Sequence, residues 1–434
     1  MNLYIGIDIG KSTDVAAFLS TDLLAKHHRY EACPTLSIEQ SRTGFETLLA
    51  TMQRYASLTN CIVLVEHTGH YGRALEQYLQ EHDIVVYQVH AQEKPKGSKS
   101  DKRDAQALAV LLYNQLERGI LLTDKRQQAR QLIPPSDTLL LLRGLVQHRL
   151  ELVRETTRRK NKLIAIADEM FPELVQVYKD LNAPSALALR EHFPTPQAVA
   201  EASIDALCGT RTHTRPSRKA LVGLQELARS TIGTKQPNRK ISLLLEQKQL
   251  IAELRLLQEH VDVLDEEIEN GLQDSREGKI LASFPSIGPT WAAVLLAQMG
   301  SIANYESASK LRAYMGWSPH QAQSGESQDS MTLTKQGNPV LKFTMYLIVL
   351  TAIRTNTPWR VLYRRLVPIK CHYDARTKKY KGKMKVIGRI AGQMIGLIYR
   401  LLRKDYDLVQ KTTEGTEVPE PELYERGKHR IKGS

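Results

Sequence analysis

Four acidic side chains in the first quarter of the chain are the groups best suited to chemistry. Asp8 and Glu66 each lie at the end of an apolar run, whereas Asp101 and Asp104 lie three residues apart at the start of a helical pattern. That spacing places both aspartates on one helical face. A carboxylate at a buried strand end is costly to desolvate without a compensating partner. If the four converge, divalent cations must separate them, and such oxygen-rich clusters suit Mg²⁺ or Mn²⁺.

Two such ions roughly 4 Å apart could activate a nucleophile and stabilise a leaving oxygen during phosphodiester cleavage. Each acid also has a simpler interpretation. Asp101 and Asp104 are favoured near a helix N-terminus by the helix dipole, and Glu66 could end a strand facing water. The ordered set of four, more than any single member, predicts a metal site.

The elements that would position these acids follow from the hydrophobic pattern. Apolar runs over residues 3–10, 15–19 and 28–30 predict a three-strand meander that contains Asp8. Further strands are predicted over residues 61–66 and 84–89, and helices over residues 41–55, 71–81 and 101–116. This alternation predicts a mixed α/β sheet, with the aspartate-bearing helix packed across it.

Two long helical patterns follow. Residues 137–170 form one pattern, whose later turns carry Arg158, Arg159 and Lys160 as a possible phosphate-contact strip or an ordinary solvated face. Leucines recur every seven residues from Leu243 to Leu264, a heptad seam that Asn270-Gly271 is predicted to end. An antiparallel pair of these helices that also supports dimerisation is the preferred interpretation. Residues 176–236 form a proline-containing insert without an assignable role.

Residues 281–300 resemble a helix-hairpin-helix element. Pro285 and Gly288 would form the turn, and the amides that begin the next helix could receive a phosphate without reading base sequence. An ordinary helix–helix corner is the alternative.

A polar loop farther on contains three serines, Ser324, Ser327 and Ser330, which are nearly equal candidates for a nucleophile. Gly325 slightly favours Ser324, because a neighbouring glycine lets the backbone turn sharply and expose the hydroxyl.

Positive charge dominates the C-terminal part of the chain. Residues 354–404 contain fifteen basic residues and one acid, with tyrosines and a tryptophan interleaved. Basic and aromatic side chains together suit a nucleic-acid backbone and exposed bases. Besides Gly288 and the basic turns above, the predicted nucleic-acid contacts are Lys335, Arg360, Arg364, Arg365, Lys378, Lys379 and Lys381. Residues 405–434 are predicted to be a disordered tail.

The net charge, the cysteines and the lengths of the apolar runs indicate what kind of partner and location to expect. The net charge of +13 favours a polyanionic partner. The four cysteines lie far apart without a Cys-x-x-Cys pair, which argues against disulfides and a zinc cage. No apolar run approaches the roughly 20 residues of a membrane span, and no signal peptide is evident, so a cytosolic location is expected. The predicted domains are 1–128, 129–277, 278–404 and the tail.

The order of these motifs resembles the DEDD insertion-sequence transposases of the one-ten family. The matching segments are Gly-Ile-Asp8, Val-Glu66-His-Thr-Gly, Lys-Ser-Asp101-Lys-Arg-Asp104-Ala, Phe-Pro-Ser-Ile-Gly288, Ser324-Gly and Thr-Lys-Gln-Gly337-Asn338. The resemblance covers the first 120 residues and about 278–400.

The resemblance implies a RuvC-like, RNase H-type N-terminal domain whose Asp8, Glu66, Asp101 and Asp104 bind Mg²⁺. It also implies a mainly helical transposase domain with a nucleophilic serine aligned with Ser324, which would form a 5′-phosphoserine link to DNA. Its further implications are a structured bridge RNA that pairs with donor and target DNA, and dimers that assemble into tetramers in a bacterial or archaeal cytosol.

Three other functions remain open. A RuvC-like junction resolvase or nuclease would share the acids but use water as its nucleophile. An actin-like or sugar-kinase ATPase would use residues 6–12 as a phosphate loop, yet the second Asp-x-Gly loop of that fold is missing. A nucleic-acid-binding protein with an inactive site would need none of the four acids.

Overall fold

The computed structural model describes residues 2–66, 69–89, 100–122, 128–132, 136–209, 216–322, 330–333, 336–412 and 416–429. The chain divides into two compact units, Met1–Pro134 and Pro135–Ser434. Each unit has a hydrophobic core of its own.

A mixed sheet forms the first unit. The strands are β1 (Leu3–Asp8), β2 (Thr13–Leu19), β3 (Thr35–Glu39), β4 (Cys61–Glu66), β5 (Val85–Val89) and β6 (Arg130–Gln131). Their order across the sheet is β3-β2-β1-β4-β5-β6. β1 pairs antiparallel with β2 and parallel with β4, so β1 occupies the centre of the sheet. The helices are α1 (Thr21–His27), α2 (Arg42–Tyr55), α3 (Arg73–Glu81) and α4 (Asp101–Leu116).

The third strand of the meander differs from the sequence-based prediction. Residues 28–30 are not a strand, because Ser20 caps a helix that begins at Thr21 by accepting a hydrogen bond from the Leu23 amide. That helix ends at His28, which adopts a left-handed conformation with φ of 59°. The strand that pairs with β2 is β3, farther along the chain.

Helices form most of the second unit. In chain order they are α5 (Asp137–Met170), α6 (Pro184–His192), α7 (Pro196–Glu201), α8 (Ile204–Cys208), α9 (Arg218–Arg229), α10 (Pro237–Gln273), α11 (Arg276–Ala282), α12 (Pro289–Met299), α13 (Ala308–Tyr314), α14 (Pro339–Arg354), α15 (Pro358–Lys370) and α16 (Met384–Lys411). Two short hairpins complete it, β7 (Pro319–Ala322) with β8 (Ser330–Leu333) and β9 (His372–Asp374) with β10 (Lys379–Lys381).

The two long helices, α5 and α10, pack against each other as an antiparallel pair. Ion pairs mark the register: Arg149 with Asp265, Arg159 with Glu253 and Arg239 with Glu169. α10 continues through the predicted stop at Asn270-Gly271 and ends at Gln273. The insert between these helices has its own small core, which includes Phe171, Leu189 and Leu224.

The tail is ordered where the structure describes it, so the prediction of disorder from residue 405 is wrong for residues 405–412 and 416–429. α16 extends to Lys411, and the ring of Tyr424 stacks on Phe284 with centroids 4.8 Å apart. Arg276 bonds both Asp405 and the carbonyl of Pro419. The stacking of Tyr424 on Phe284 and the hydrogen bond from Arg276 to the Pro419 carbonyl therefore hold residues 416–429, here called the C-terminal strap, beside α11. No described helix is long and apolar enough to cross a membrane.

Candidate functional site

The alternation of side chains along β1 determines where Asp8 points. Tyr4, Gly6 and Asp8 share one face of the sheet because side chains alternate along a strand. The ring of Tyr4 meets that of Tyr113 on α4, with centroids 5.5 Å apart. Gly6 lies directly beneath the backbone of the same helix. Asp8 therefore faces the side of the sheet that α4 covers.

Glu66 lies beside Asp8 on the same face. β1 and β4 run parallel, with Ile7 opposite Val65, so the next pair in this register is Asp8 and Glu66. Directly opposed residues of paired strands point to one side of a sheet. Glu66 is 9% exposed. Two carboxylates thus share the edge at which both parallel strands end.

The direction of α4 brings its N-terminus to this edge. Tyr113 lies near Tyr4, while the backbone at Ala105 and Ala109 crosses Gly6. The helix therefore runs opposite to β1. Two strand residues span about 7 Å, the length of four to five helical residues. Counting from the crossing, Asp8 lies level with the first turn of α4.

That first turn contains the other two acids. Asp101 is the first residue of α4 and is exposed, whereas Asp104 is partly buried. Ser100 occupies the N-cap position, but its side chain makes no capping hydrogen bond. Backbone geometry alone thus brings Asp8, Glu66 and Asp104 to one region, with Asp101 at its solvent side.

The carboxylates themselves have not converged. Among the described residues, no three His, Cys, Asp or Glu side chains are close enough to hold a metal ion. Asp8, Glu66 and Asp104 each have an interaction partner in this structure. The donor set consists of carboxylate oxygens, which suits a hard divalent cation. The residues fit such a cation by the chemistry of their oxygens and by their backbone placement.

Of the three candidate serines, only Ser330 is among the residues that the structure describes. Ser324 and Ser327 lie outside the described residues, as does Lys335. Ser330 is the first residue of β8, where its backbone pairs with Ala322 of β7.

The base of this hairpin explains the Gly337-Asn338 pair. Gly337 has φ of 106°, and a Cβ at this position would lie 2.6 Å from the amide nitrogen of Gly316, so only glycine fits. Asn338 caps α14, because its side-chain oxygen accepts hydrogen bonds from the amides of Val340 and Leu341. Its own amide donates to the carbonyl of Tyr314. The chain before β7 and the chain after β8 are thereby tied together.

The basic turns of α5 are largely occupied by ion pairs. Arg158 pairs with Glu155, and Arg159 pairs with both Glu155 and Glu253. That these two arginines contact phosphate stays a prediction, and in this structure their charges pair with acids along α5 and across to α10. Lys160 is exposed. Gly288 is also exposed, at the N-cap of α12 after the short turn that follows α11.

Aromatic and basic side chains occupy opposite faces of the hairpin β9–β10. Tyr373 pairs with Tyr380 across the strands, their ring centroids 5.1 Å apart, and Tyr380 packs against the core. Lys379 and Lys381 alternate with Tyr380, and Lys381 pairs with Asp374. The predicted interleaving of aromatics with cations is thus resolved into an aromatic face, in which Tyr380 packs against the core and Tyr373 is half-exposed, and an opposite cationic face.

Further basic residues lie on α15 and in the turn between β9 and β10. Arg364 and Arg365 are exposed, as are Lys378 and Lys379, whereas Arg360 is partly buried. Among the described residues, none of these five forms an ion pair. Such a surface suits phosphates more than bases. We call these five residues and Lys381 the basic face.

Two features of the site were missed by the sequence analysis. Gly6 is the point where α4 touches the sheet, and a glycine inside an apolar strand is the usual signal of such a close approach. Asp14 is fully buried at the start of β2. A lone acid in the second position of an apolar strand would have been the signal for it.

Comparisons with known proteins match both parts of the chain. Residues 5–172 match the family model of DEDD transposases of IS110 elements, described as a transposase. Residues 278–364 match the model described as the transposase IS116/IS110/IS902 family. A 44.8 kDa protein of insertion element IS116 from Streptomyces clavuligerus is 22% identical over 372 residues, covering 83% of this chain and 87% of the relative. A 43.6 kDa protein of insertion element IS110 from Streptomyces coelicolor is 24% identical, covering 71% of this chain and 72% of the relative.

Proposed function

Since this chain belongs to the IS110 family of DEDD-type transposases, we propose that it cuts and rejoins DNA through a serine–DNA intermediate, with the four acids of the first unit as a metal site. A transposase is an enzyme that acts on DNA, and the DEDD domain implies a need for divalent metal in general. Three finer points belong to the proposal: the metal is Mg²⁺ or Mn²⁺, a serine is the nucleophile, and an RNA guides the protein to DNA.

One observation carries the proposal: Asp8 and Glu66 share one face at the ends of parallel strands, level with the first turn of α4. Asp8, Glu66 and Asp104 would hold the cation, and Asp101 would close the site from its solvent side. When bound, a divalent cation would supply a Lewis acid and would lower the pKa of a coordinated hydroxyl or water.

The covalent step is assigned to Ser324. Its oxygen forms a bond to a DNA phosphorus while the bond from that phosphorus to the 3′-oxygen breaks, leaving a 5′-phosphoserine and a 3′-hydroxyl. The serine proton leaves to a carboxylate or water, and the departing 3′-oxygen takes one up. Attack by a 3′-hydroxyl of another strand reverses the reaction, releases the serine and rejoins the DNA.

The basic face of the second unit would hold the phosphates of the nucleic acid. Lys160 and Gly288 would add contacts on α5 and at the start of α12. We further propose that a structured bridge RNA pairs with donor and target DNA, and that dimers assemble into tetramers. The protein would act on DNA in the cytosol of its host.

A set of single substitutions tests the chemistry. Asp8→Asn and Asp104→Asn are expected to lower strand cleavage by at least about 10³-fold, because each removes a carboxylate that would hold the metal. Thermal unfolding of each variant without metal separates this loss from a loss of folding. Asp137→Asn is the matched control, since Asp137 is also an acid in the first turn of a helix. Normal cleavage by Asp8→Asn would contradict the metal site.

Ser324→Ala separates a recombinase from a nuclease. Denaturing gels are expected to lose the covalent protein–DNA adduct in this variant and to retain it in Ser327→Ala and Ser330→Ala. Undiminished cutting by Ser324→Ala would instead indicate water as the nucleophile, as in a junction resolvase.

Sequencing of the RNA that co-purifies with the protein tests the proposed guide RNA. A discrete non-coding RNA encoded beside the gene is expected.

A further inference from the structure

The turn that follows Asp8 and the loop that follows Glu66 are joined by one partly buried side chain, that of Gln40. The side-chain nitrogen Nε2 of Gln40 lies 2.9 Å from each carboxylate oxygen of Asp14. The same nitrogen lies 3.5 Å from the carbonyl oxygen of Gly10 and 3.4 Å from that of Tyr71. Gly10 lies two residues after Asp8, and Tyr71 lies five residues after Glu66. A single side chain therefore bridges the two segments that leave the acidic edge.

Asp14 anchors this contact from the opposite face of the sheet. Val15 pairs with Asp8 across β1 and β2, so Val15 shares the face of Asp8 and Asp14 points away from it. Asp14 is 0% exposed, and one of its oxygens also accepts the amide of Gly10 at 3.0 Å. Because Asp14 points away from the face of Asp8, it is not placed to bind the same metal ion. Its contacts instead link it to the turn that follows Asp8.

The geometry also determines the orientation of the Gln40 amide. A carboxylate accepts hydrogen bonds and cannot donate them, so the nitrogen of Gln40 must face Asp14. The carbonyls of Gly10 and Tyr71 are acceptors too, which favours the same orientation. Desolvation raises the pKa of Asp14, whereas the hydrogen bonds from Gly10 and Gln40 favour its charged form. Without Gln40, a buried carboxylate would keep only one of its partners.

The packing around the contact leaves little freedom. A Cβ on Gly10 would collide with the carbonyl oxygen of Thr13, and a Cβ on Gly72 would lie 3.6 Å from the side chain of Ile9. The backbone N–H of Gln40 donates a hydrogen bond to the carbonyl of Ser12 at 3.0 Å. The segments after β1, β3 and β4 thus meet at one point beside the acidic edge.

We propose that Asp14 and Gln40 are positioning residues that set the separation of Asp8 and Glu66 and thereby the affinity of the acidic edge for divalent cations. The inference rests on the proposed metal site and extends it to residues that touch neither metal nor DNA. Partners that orient metal ligands from outside the coordination shell commonly change metal affinity by about 10- to 100-fold when they are removed.

The test measures metal binding separately from catalysis. The full-length protein is titrated with Mn²⁺, and the concentration that gives half of the thermal stabilisation is determined for wild type, Gln40→Ala and Asp14→Asn. Both variants are expected to shift this midpoint upward by about 10-fold or more. With DNA present, their cleavage is expected to need correspondingly more metal and to recover toward the wild-type rate at saturation.

Gln77→Ala is the matched control. Gln77 lies on α3 and is exposed, and among the described residues its side chain bonds Glu81 on its own helix. Its metal midpoint is expected to equal that of wild type. A purely structural role for Gln40 would lower the unfolding temperature without metal and leave the midpoint unchanged, and that result would overturn the inference.

Asp8→Asn, titrated in parallel, distinguishes the two proposals. If wild type is stabilised by Mn²⁺ and Asp8→Asn is not, the metal site stands and the Gln40 result decides the positioning role by itself. If wild type and Asp8→Asn respond alike, the metal site fails and the positioning role fails with it.

Discussion

At the scale of single residues, Gly6 shows why the acidic edge depends on a missing side chain. A Cβ at this position would lie 2.7 Å from the Cβ of Leu108 and closer still to the backbone of Ala105 and Ala109. Backbone atoms of a packed helix cannot move aside as a flexible side chain can. The absence of a Cβ therefore lets α4 approach β1 and bring Asp104 to the level of Asp8.

We expect Gly6→Ala to push α4 away from the sheet. The free energy of unfolding should fall by about 3 kcal/mol or more, since overpacking against backbone exceeds the usual cost of an added methylene group. Metal-induced stabilisation should weaken in the same variant. Urea unfolding with and without Mn²⁺ measures both effects.

Gly144→Ala provides the comparison for this substitution. Gly144 lies inside α5, and a Cβ there would meet nothing within 4 Å. Alanine is the better helix former, so this variant should gain up to about 1 kcal/mol. Equal effects of the two substitutions would contradict the role assigned to Gly6.

At the scale of elements, the C-terminal strap completes the packing around α11. Tyr424 is 9% exposed and stacks on Phe284, while its amide donates to the Ser283 hydroxyl at 2.9 Å. Among the described residues, its buried hydroxyl has no hydrogen-bond partner. The ring, and not the hydroxyl, therefore supplies the stabilisation.

Two substitutions at Tyr424 separate these contributions. Tyr424→Ala should lower the free energy of unfolding by about 3 kcal/mol, as is common when a buried aromatic ring is removed. Tyr424→Phe should be neutral or slightly stabilising, because it removes a polar group that is buried without a partner. Thermal unfolding of both variants measures the difference, and a stable Tyr424→Ala would mean that the strap is dispensable for packing.

At the scale of the whole molecule, the excess positive charge has a defined location. The net charge is +13, yet several cations of α5 and α10 are paired with acids, as are Arg276 and Lys404 near the strap. Within the basic face, Lys381 pairs with Asp374, whereas its other five cations form no ion pair with the described residues. Long-range attraction of nucleic acid should therefore arise mainly there.

The salt dependence of DNA binding measures this contribution. Replacing Arg364, Arg365, Lys378 and Lys379 by alanine should lower the slope of log affinity against log salt by up to about 4, since each lost phosphate contact removes roughly one released counterion. A paired Lys219→Ala and Lys235→Ala variant removes exposed charge from the insert and should leave the slope unchanged. Equal slopes for wild type and the four-site variant would place the phosphate contacts elsewhere.

Local patterns were sufficient to predict several elements of this chain. The helices Asp101–Leu116 and Asp137–Met170 have the predicted bounds. Both were predicted from the spacing of apolar residues and a serine before the first helical residue, although only Ser136 makes a capping hydrogen bond and Ser100 does not. The strands that carry Asp8 and Glu66 were predicted from the apolar runs that end in these acids. The third strand was wrong because Ser20 caps a helix that competes with it.

The order of the motifs along the chain was enough to predict the transposase family, whereas the shared site of the four acids stays a prediction and the contacts around it were not predicted. The contact between Gln40 and Tyr71 and the ion pair between Arg159 and Glu253 join residues 31 and 94 positions apart. No local pattern encodes such a partner, because hydrogen bonds and ion pairs depend on distance in space. Sequence by itself determined which elements form and which acids they carry, whereas the tertiary structure decided which charges are already paired and which side chains tie the site together.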